Sequence, residues 1–458
     1  MTFGAKADEL GRSLRGQLIR PGDDAYEQAR RVWNAMIDKR PALIARCAGV
    51  SDAVSAVNFA RDHHLLIAVR GGGHNVAGTA TCDDGMVIDL SLMKGARVDP
   101  RRQTARAEAG LTWGEYDQET QVFGLATPGG VISTTGIAGL TLGGGVGWLS
   151  PSYGAACDNV LSADVVTARG EVLTASPEDN PDLYWGIRGG GGNFGVVTSF
   201  EYRLHAVREL LAGLVIHPRS EARGFLQAYS DLRANAPDQL ASFAALLSSS
   251  DGDPLVVVFV AYNGDAGMGA RVLEPLRRFG SPLVDDIASK PYRVVQTALD
   301  AGFPAGKRHY WKSSALTRLD PALLDILIEH ANRAPSPLSA VGIENQLGGA
   351  VARVPLGENA FGLRQTEHNL GILAIWEDPA DDEINIRWAR DLWTAVQPFS
   401  TGSVYVNYLG WDEADRIGEA YGSQIHQRLV ELKTRYDPEN LFRLNQNIVP
   451  AVHRPRAS

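Results

Sequence analysis

Up to about His205 the chain is written in short apolar runs separated by glycine turns, and beyond it in longer alternating or amphipathic runs. Behind Ser51, a side chain suited to capping a helix, Val54, Val57 and Ala60 recur at helical spacing and predict a helix. Leu65-Leu66-Ile67-Ala68-Val69 is short and wholly apolar, the pattern of a buried strand, and it runs straight into Arg70-Gly71-Gly72-Gly73-His74-Asn75. That glycine loop is therefore held by a strand. Further strands are predicted at Met86-Val87-Ile88-Asp89-Leu90 and at Ala163-Asp164-Val165-Val166-Thr167, the latter turning at Arg169-Gly170 into a hairpin with Glu171-Val172-Leu173. The stretch Pro254 to Tyr262 alternates like a strand, and Pro321 to Ala334 is amphipathic like a helix. The change of pattern predicts an α+β chain with a first domain over 1–206, a second over 207–400, and a segment 401–458 that returns to the first.

A chain of 458 residues exceeds one ordinary core and has room for a large cofactor together with a substrate. Hydrophobic residues at 44% and charged residues at 21% place it in the globular class. A net charge of −9 without a Lys/Arg stripe excludes a nucleic-acid partner. Cys47, Cys82 and Cys157 are odd in number and widely spaced, which fits neither a disulfide framework nor a zinc site, so a reducing cytoplasm is the expected compartment. Charges interrupt every apolar run near the N-terminus and no later run is long enough to span a bilayer, so no membrane partner is expected. The expected assembly is a monomer or homodimer.

Candidate chemistry centres on His74 and Cys157. Each is a nucleophilic side chain near a glycine-dense stretch, Gly71-Gly72-Gly73 in one case and Gly143-Gly144-Gly145-Val146-Gly147 in the other. Imidazole and thiolate are suited to covalent attack on a flavin ring, and glycines let backbone N–H groups approach a diphosphate. Either residue alone carries little, since a histidine after glycines is ordinarily a turn residue and a lone cysteine a small buried hydrophobe. A literal G-x-G-x-x-G also occurs at Gly190 to Gly195, but Val196-Val197-Thr198-Ser199-Phe200-Glu201-Tyr202 after it is β-branched and aromatic, where a dinucleotide-binding Rossmann loop would open a helix.

Several blocks occur together: Arg-Gly-Gly-Gly-His-Asn at 70–75, Thr-Pro-Gly-Gly at 127–130, Gly-Leu-Thr-Leu-Gly-Gly-Gly-Val-Gly-Trp-Leu-Ser at 139–150, Tyr153-Gly154-x-x-Cys157-Asp158-Asn159, Asn193-Phe194-Gly195-Val196-Val197, Tyr405-Val406-Asn407-Tyr408, and Asp437-Pro438-Glu439-Asn440-Leu441-Phe442 followed by Asn445 and Asn447. Together they resemble the FAD-linked oxidases of the vanillyl-alcohol-oxidase superfamily, specifically the berberine-bridge-enzyme-like branch. The layout is also similar to bacterial 6-hydroxynicotine oxidases. The resemblance implies a PCMH-type FAD-binding domain and a substrate domain whose antiparallel sheet is covered by helices. It implies FAD joined covalently through His74 to the 8α-methyl carbon and through Cys157 to C6, the bicovalent arrangement. Around the cofactor it implies N–H groups and clearance from Gly71, Gly72, Gly73, Gly136, Gly139, Gly143, Gly144 and Gly147, with charge from Arg70. Asn75, Gly78, Gly129, Thr135 and Val197 lie along the same stretches. Asn445 and Asn447 are expected either at the flavin's pyrimidine edge or as capping residues.

Hydride removal from a carbon bearing a hydroxyl needs a base for the O–H proton. The resemblance implies that Tyr408, in a strand Tyr405-Val406-Asn407-Tyr408, is that base, with phenolate favoured by neighbouring donors or cations. Strand alternation would put Tyr405 on the opposite face, so one step of register exchanges the two. Glu344 and Gln346, spaced i and i+2, are expected on one side of a substrate-domain strand facing the ligand, and Tyr153 near the flavin. The resemblance also implies O₂ as electron acceptor, because Val160, three past Cys157, stands where that family tends to carry a small residue in oxidases. The expected activity is that of a bicovalent FAD oxidase taking hydride from an alcohol or lactol carbon of a sugar or secondary metabolite, with small-molecule substrate and O₂ as partners and H₂O₂ as product. Amine oxidation of the hydroxynicotine type and flavin-dependent cyclisation are the alternatives.

Overall fold

The structure is a computed structural model that describes residues 2–451. Its fold is α+β, as the apolar pattern predicts. Four strands near the N-terminus form a sheet in the order Gln17–Ile19, Leu43–Arg46, Met86–Asp89, Ile67–Arg70, whose last three members run parallel. The helix Val50–Asp62 supplies one crossover. Its N-cap is Gly49 rather than Ser51, and the buried Asp52 carboxylate accepts from the N–H groups of Arg15, Gly16 and Ala48 instead. The strand Ile67–Arg70 starts two residues later than its apolar run and delivers the chain to the glycine loop.

Beside it lies an antiparallel sheet in the order Ala96–Asp99, Thr104–Glu108, Val196–Arg203, Val160–Val166, Val172–Ala175. The predicted hairpin is its outer pair. Val196–Arg203 is central in this sheet, which explains its unbroken apolar face. Both sheets and the C-terminal helix Ile417–Tyr436 enclose one apolar core.

The rest is an eight-stranded antiparallel sheet built between residues 209 and 376. On one face, Tyr310, Leu316, Val341, Ile343, Leu370 and Ile372 pack against the helices Ala222–Ala234, Ala266–Arg277, Pro321–Asn332 and Asp382–Val396. Period-two alternation sends Trp311, Leu373 and Ile375 to the other face. Part of that face looks toward the glycine loops. Among the described residues no helix is long and apolar enough to cross a membrane.

Candidate active site

A cavity of about 1670 Å³, counted to its open mouth, lies where this face meets the glycine loops. One end is lined by Gly71, Gly72, Gly73, His74 and Asn75, by Thr135, Gly136 and Gly139, and by Gly143 and Val197. The other presents Trp311, Glu344, Gln346, Tyr405 and Tyr408, while Asn445 enters from the C-terminal segment.

The two glycine loops touch at Gly72 and Gly136. A Cβ on Gly72 would sit 2.4 Å from the Gly136 nitrogen, and one on Gly136 would sit 2.4 Å from the Gly72 nitrogen. Only a backbone without side chains fits, leaving a wall of peptide groups. Among the described residues no Lys or Arg lines the cavity, so a dinucleotide diphosphate there is met by backbone N–H groups.

His74 is partly buried on the cavity wall, and its Nε2 has no hydrogen-bond partner among the described residues. Burial lowers its pKa to about 4, which keeps the imidazole neutral and nucleophilic at physiological pH. Asn445 donates to the carbonyls of Gly192 and Phe442, and among the described residues its Oδ1 is left without a partner; it lines the cavity and caps none of their helices. A neutral nucleophile, a side-chain oxygen without a partner and a wall of peptide groups suit a flavin dinucleotide.

Tyr405 and Tyr408 are not in a strand. Val406–Tyr408 forms a turn of 3₁₀ helix, closed by Tyr408 N–H donating to the Tyr405 carbonyl at 2.9 Å. In such a turn residues three apart stack on one side, so both rings face the cavity, 5.2 Å apart, instead of opposing each other. The Tyr405 hydroxyl accepts from the Gly145 N–H and from Asn407 Nδ2, which ties it to the glycine loop. Tyr408 donates its hydroxyl to Glu344 Oε1 at 2.5 Å, and Glu344 Oε2 accepts from Asn369 at 2.8 Å. Glu344 closes the strand Ala340–Glu344 on its cavity face. Gln346 lies past the strand's end, still on the wall, with Nε2 unpartnered among the described residues.

Burial raises the pKa of Glu344 from its ordinary value, opposed by the bonds from Tyr408 and Asn369. Burial and then the Glu344 charge push Tyr408 well above the ordinary phenol value. Of the donors or cations expected to favour phenolate, no Lys or Arg lines the wall among the described residues. Its position beside an acid makes Tyr408 a poor free base and a good donor.

Other expected site residues are placed elsewhere. Cys157 is fully buried in a cluster with Val146, Phe361 and Tyr405, off the cavity wall. Burial and the adjacent Asp158 raise its pKa well above the ordinary thiol value, the reverse of a reactive thiolate. Asp158 is itself clamped by Arg364 at 2.6 and 2.8 Å. Arg70 points away from the cavity and holds the Ala29 and Arg31 carbonyls and Asp89, propping the loop from behind. Tyr153 stacks on His205 at 4.0 Å. Gly78, Gly129, Gly144 and Gly147 pack against Ile37, Trp113, Phe361 and the Gly129–Gly130 backbone, and Asn447 is off the wall. Val160 opens a strand inside the first core, off the cavity wall.

The sequence reading missed several wall residues. Gly191, Gly192 and Gly195 line the cavity although their segment leads into a strand, so the glycine run set aside as a false Rossmann loop was itself the signal. Trp311 packs edge-on against Tyr408 with ring centres 5.4 Å apart. Only alternation along Arg308–Leu316 hinted at its face.

Residues 41–176 match the FAD binding domain family and residues 404–449 the berberine and berberine-like family. An FAD-linked oxidoreductase of Dictyostelium discoideum is 33% identical over 97% of this chain and 96% of its own length. The (R)-6-hydroxynicotine oxidase of Paenarthrobacter nicotinovorans is 33% identical over 96% of this chain and 97% of its own. The crystal structure of 6-hydroxy-D-nicotine oxidase from Arthrobacter nicotinovorans superposes with a TM-score of 0.88 at 32% identity, covering 96% of this chain and 99% of that one. A chitooligosaccharide oxidase shares the fold, with a TM-score of 0.85 at 23% identity over 97% of this chain and 100% of that one.

Proposed function

The chain belongs to the FAD-linked oxidoreductases with a berberine-like C-terminal segment, and on that premise we propose that it oxidises a small apolar amine, with His74 as the one covalent anchor of its FAD. The observation that carries the amine is the charge of the wall: Glu344 is the only acid lining the cavity among the described residues, and no Lys or Arg accompanies it. A buried carboxylate attracts an ammonium, and its raised pKa lets it take the nitrogen's proton. The lone pair on nitrogen is then free, and no strong base is required. Trp311, Val131, Ile132 and Val406 enclose the apolar body. Bound FAD supplies the electron acceptor for the substrate carbon–hydrogen bond and passes the electrons to O₂, yielding H₂O₂.

Similarity to the hydroxynicotine oxidases supports this reading. The alcohol reading draws on one contact, the 2.5 Å bond from Tyr408 to Glu344. There Tyr408 oxygen would take the hydroxyl proton while passing its own to the carboxylate. Anaerobic titration of the yellow enzyme with secondary and tertiary amines, alcohols and lactols separates the two. Bleaching by amines is expected, and bleaching by alcohols or lactols alone refutes the proposal. For the anchor, acid precipitation should leave colour in the pellet, on a peptide containing His74 and on none containing Cys157. Free FAD in the supernatant refutes it.

A further inference from the structure

Behind the cavity wall the indole of Trp33 lies between two imidazoles. Its ring is stacked on His74 at 4.2 Å and 19° and on His309 at 3.8 Å and 24°. The backbone around it is fastened on both sides. Trp33 N–H donates to the Gly73 carbonyl, one residue before His74, and Asn34 Nδ2 donates to the Val76 carbonyl, two residues after it. Toward the large sheet, Asn34 exchanges bonds with the backbone of His309, Trp33 Nε1 donates to the Phe303 carbonyl, and Gly306 N–H donates to the Trp33 carbonyl. His309 is fully buried and neither ring nitrogen has a partner among the described residues. A buried histidine with both nitrogens unbonded is costly as a polar group. What the fold uses is its flat face.

We propose that Trp33, gripped between His74 and His309, is the positioning residue that fixes the plane of the His74 ring for its attachment to the flavin. The proposal rests on His74 being the covalent anchor. Attachment joins a ring nitrogen of His74 to the flavin's 8α-methyl carbon. One proton leaves the nitrogen and one the methyl, and the two electrons released pass to O₂, giving H₂O₂. Such a bond needs the nitrogen lone pair, which lies in the imidazole plane, aimed at one carbon. Stacking leaves the ring free to slide but not to tilt. The Nε2 of His74 has no hydrogen-bond partner among the described residues that would fix its plane instead.

The test is the rate of covalent incorporation after adding FAD to apoprotein, read as flavin fluorescence of the denatured band and compared with total bound FAD. Trp33→Leu should bind FAD yet form the covalent link about ten-fold more slowly, an effect expected when two ring contacts are lost. Trp33→Phe, which keeps a flat ring, should recover most of the rate. If Trp33→Leu does not fold, His309→Leu removes the outer ring alone and should slow the link measurably. Incorporation at the wild-type rate in the folded leucine variant overturns the proposal. Wild-type protein without covalent flavin overturns the anchor reading and this one with it, whereas covalent flavin in wild type and an unaffected variant overturn this one alone.

Discussion

Replacing Glu344 by Gln keeps the side chain's shape and removes its charge. In the folded protein the carboxylate is 5% exposed and holds two hydrogen bonds, from Tyr408 and from Asn369. The amide oxygen can keep one of them, so the wall stays in place and the substrate loses its counter-charge. A hydrogen bond to a charged group is worth about 1.5–3 kcal/mol, so a protonated amine should bind roughly ten- to hundred-fold more weakly. The assay is anaerobic stopped-flow reduction of the bound flavin against amine concentration and pH. In the wild type, the acid limb of the profile should sit above the ordinary carboxylate value of 4.5, because burial raises Glu344. In Glu344→Gln that limb should vanish and half-saturation should move to higher amine. A variant with unchanged amine affinity and an unchanged acid limb refutes the reasoning, for then Glu344 neither meets the nitrogen nor titrates in the cycle.

Tyr408→Phe should reduce the limiting rate with amines by less than about ten-fold, whereas a proton relay serving alcohols would lose about 10²–10⁴-fold; single-turnover flavin reduction distinguishes them. Gly72→Ala places a Cβ 2.4 Å from the Gly136 backbone, which cannot yield like a flexible side chain, so the variant should purify with little FAD, read from its visible absorbance. Lys433 and Asp437 are both fully buried and paired at 2.7 Å, and Lys433 also donates to the Asn193 and Phe442 carbonyls. Lys433→Met leaves a buried carboxylate unpaired and should cost about 3–5 kcal/mol in denaturant unfolding. The folded-state pKa of Glu344 is raised, so its favourable contribution is present below the unfolded value of 4.5 and is lost as pH rises through the folded value. Glu344→Gln should therefore gain melting temperature relative to wild type on going from acid to neutral pH.

The glycine loop before His74 was legible because an apolar run leading into consecutive glycines has few structural meanings, and its place at the end of a parallel strand follows from them. Cys157 was singled out by its neighbourhood in sequence, which says nothing about which side of a wall a thiol occupies, and here it packs against Phe361 and Tyr405. Tyr405 and Tyr408 were misread in geometry: four residues of aromatic and β-branched character suggest a strand, yet the chain turns there and brings both rings to one side. Trp33 carried no local signal. Its partners His74 and His309 are remote in sequence and meet only when the two sheets pack.

The sequence by itself determined most of the elements, the α+β class and the family, because hydrophobic period, turn residues and glycine spacing are local properties. Tertiary structure alone decided which way each functional side chain faces. It turned Arg70 to Asp89, buried Cys157 behind the wall, and brought Glu344 to Tyr408 across 64 residues. The physical reason is that burial and pairing of charge depend on contacts between distant segments, and those contacts decide which groups hold protons and which can react.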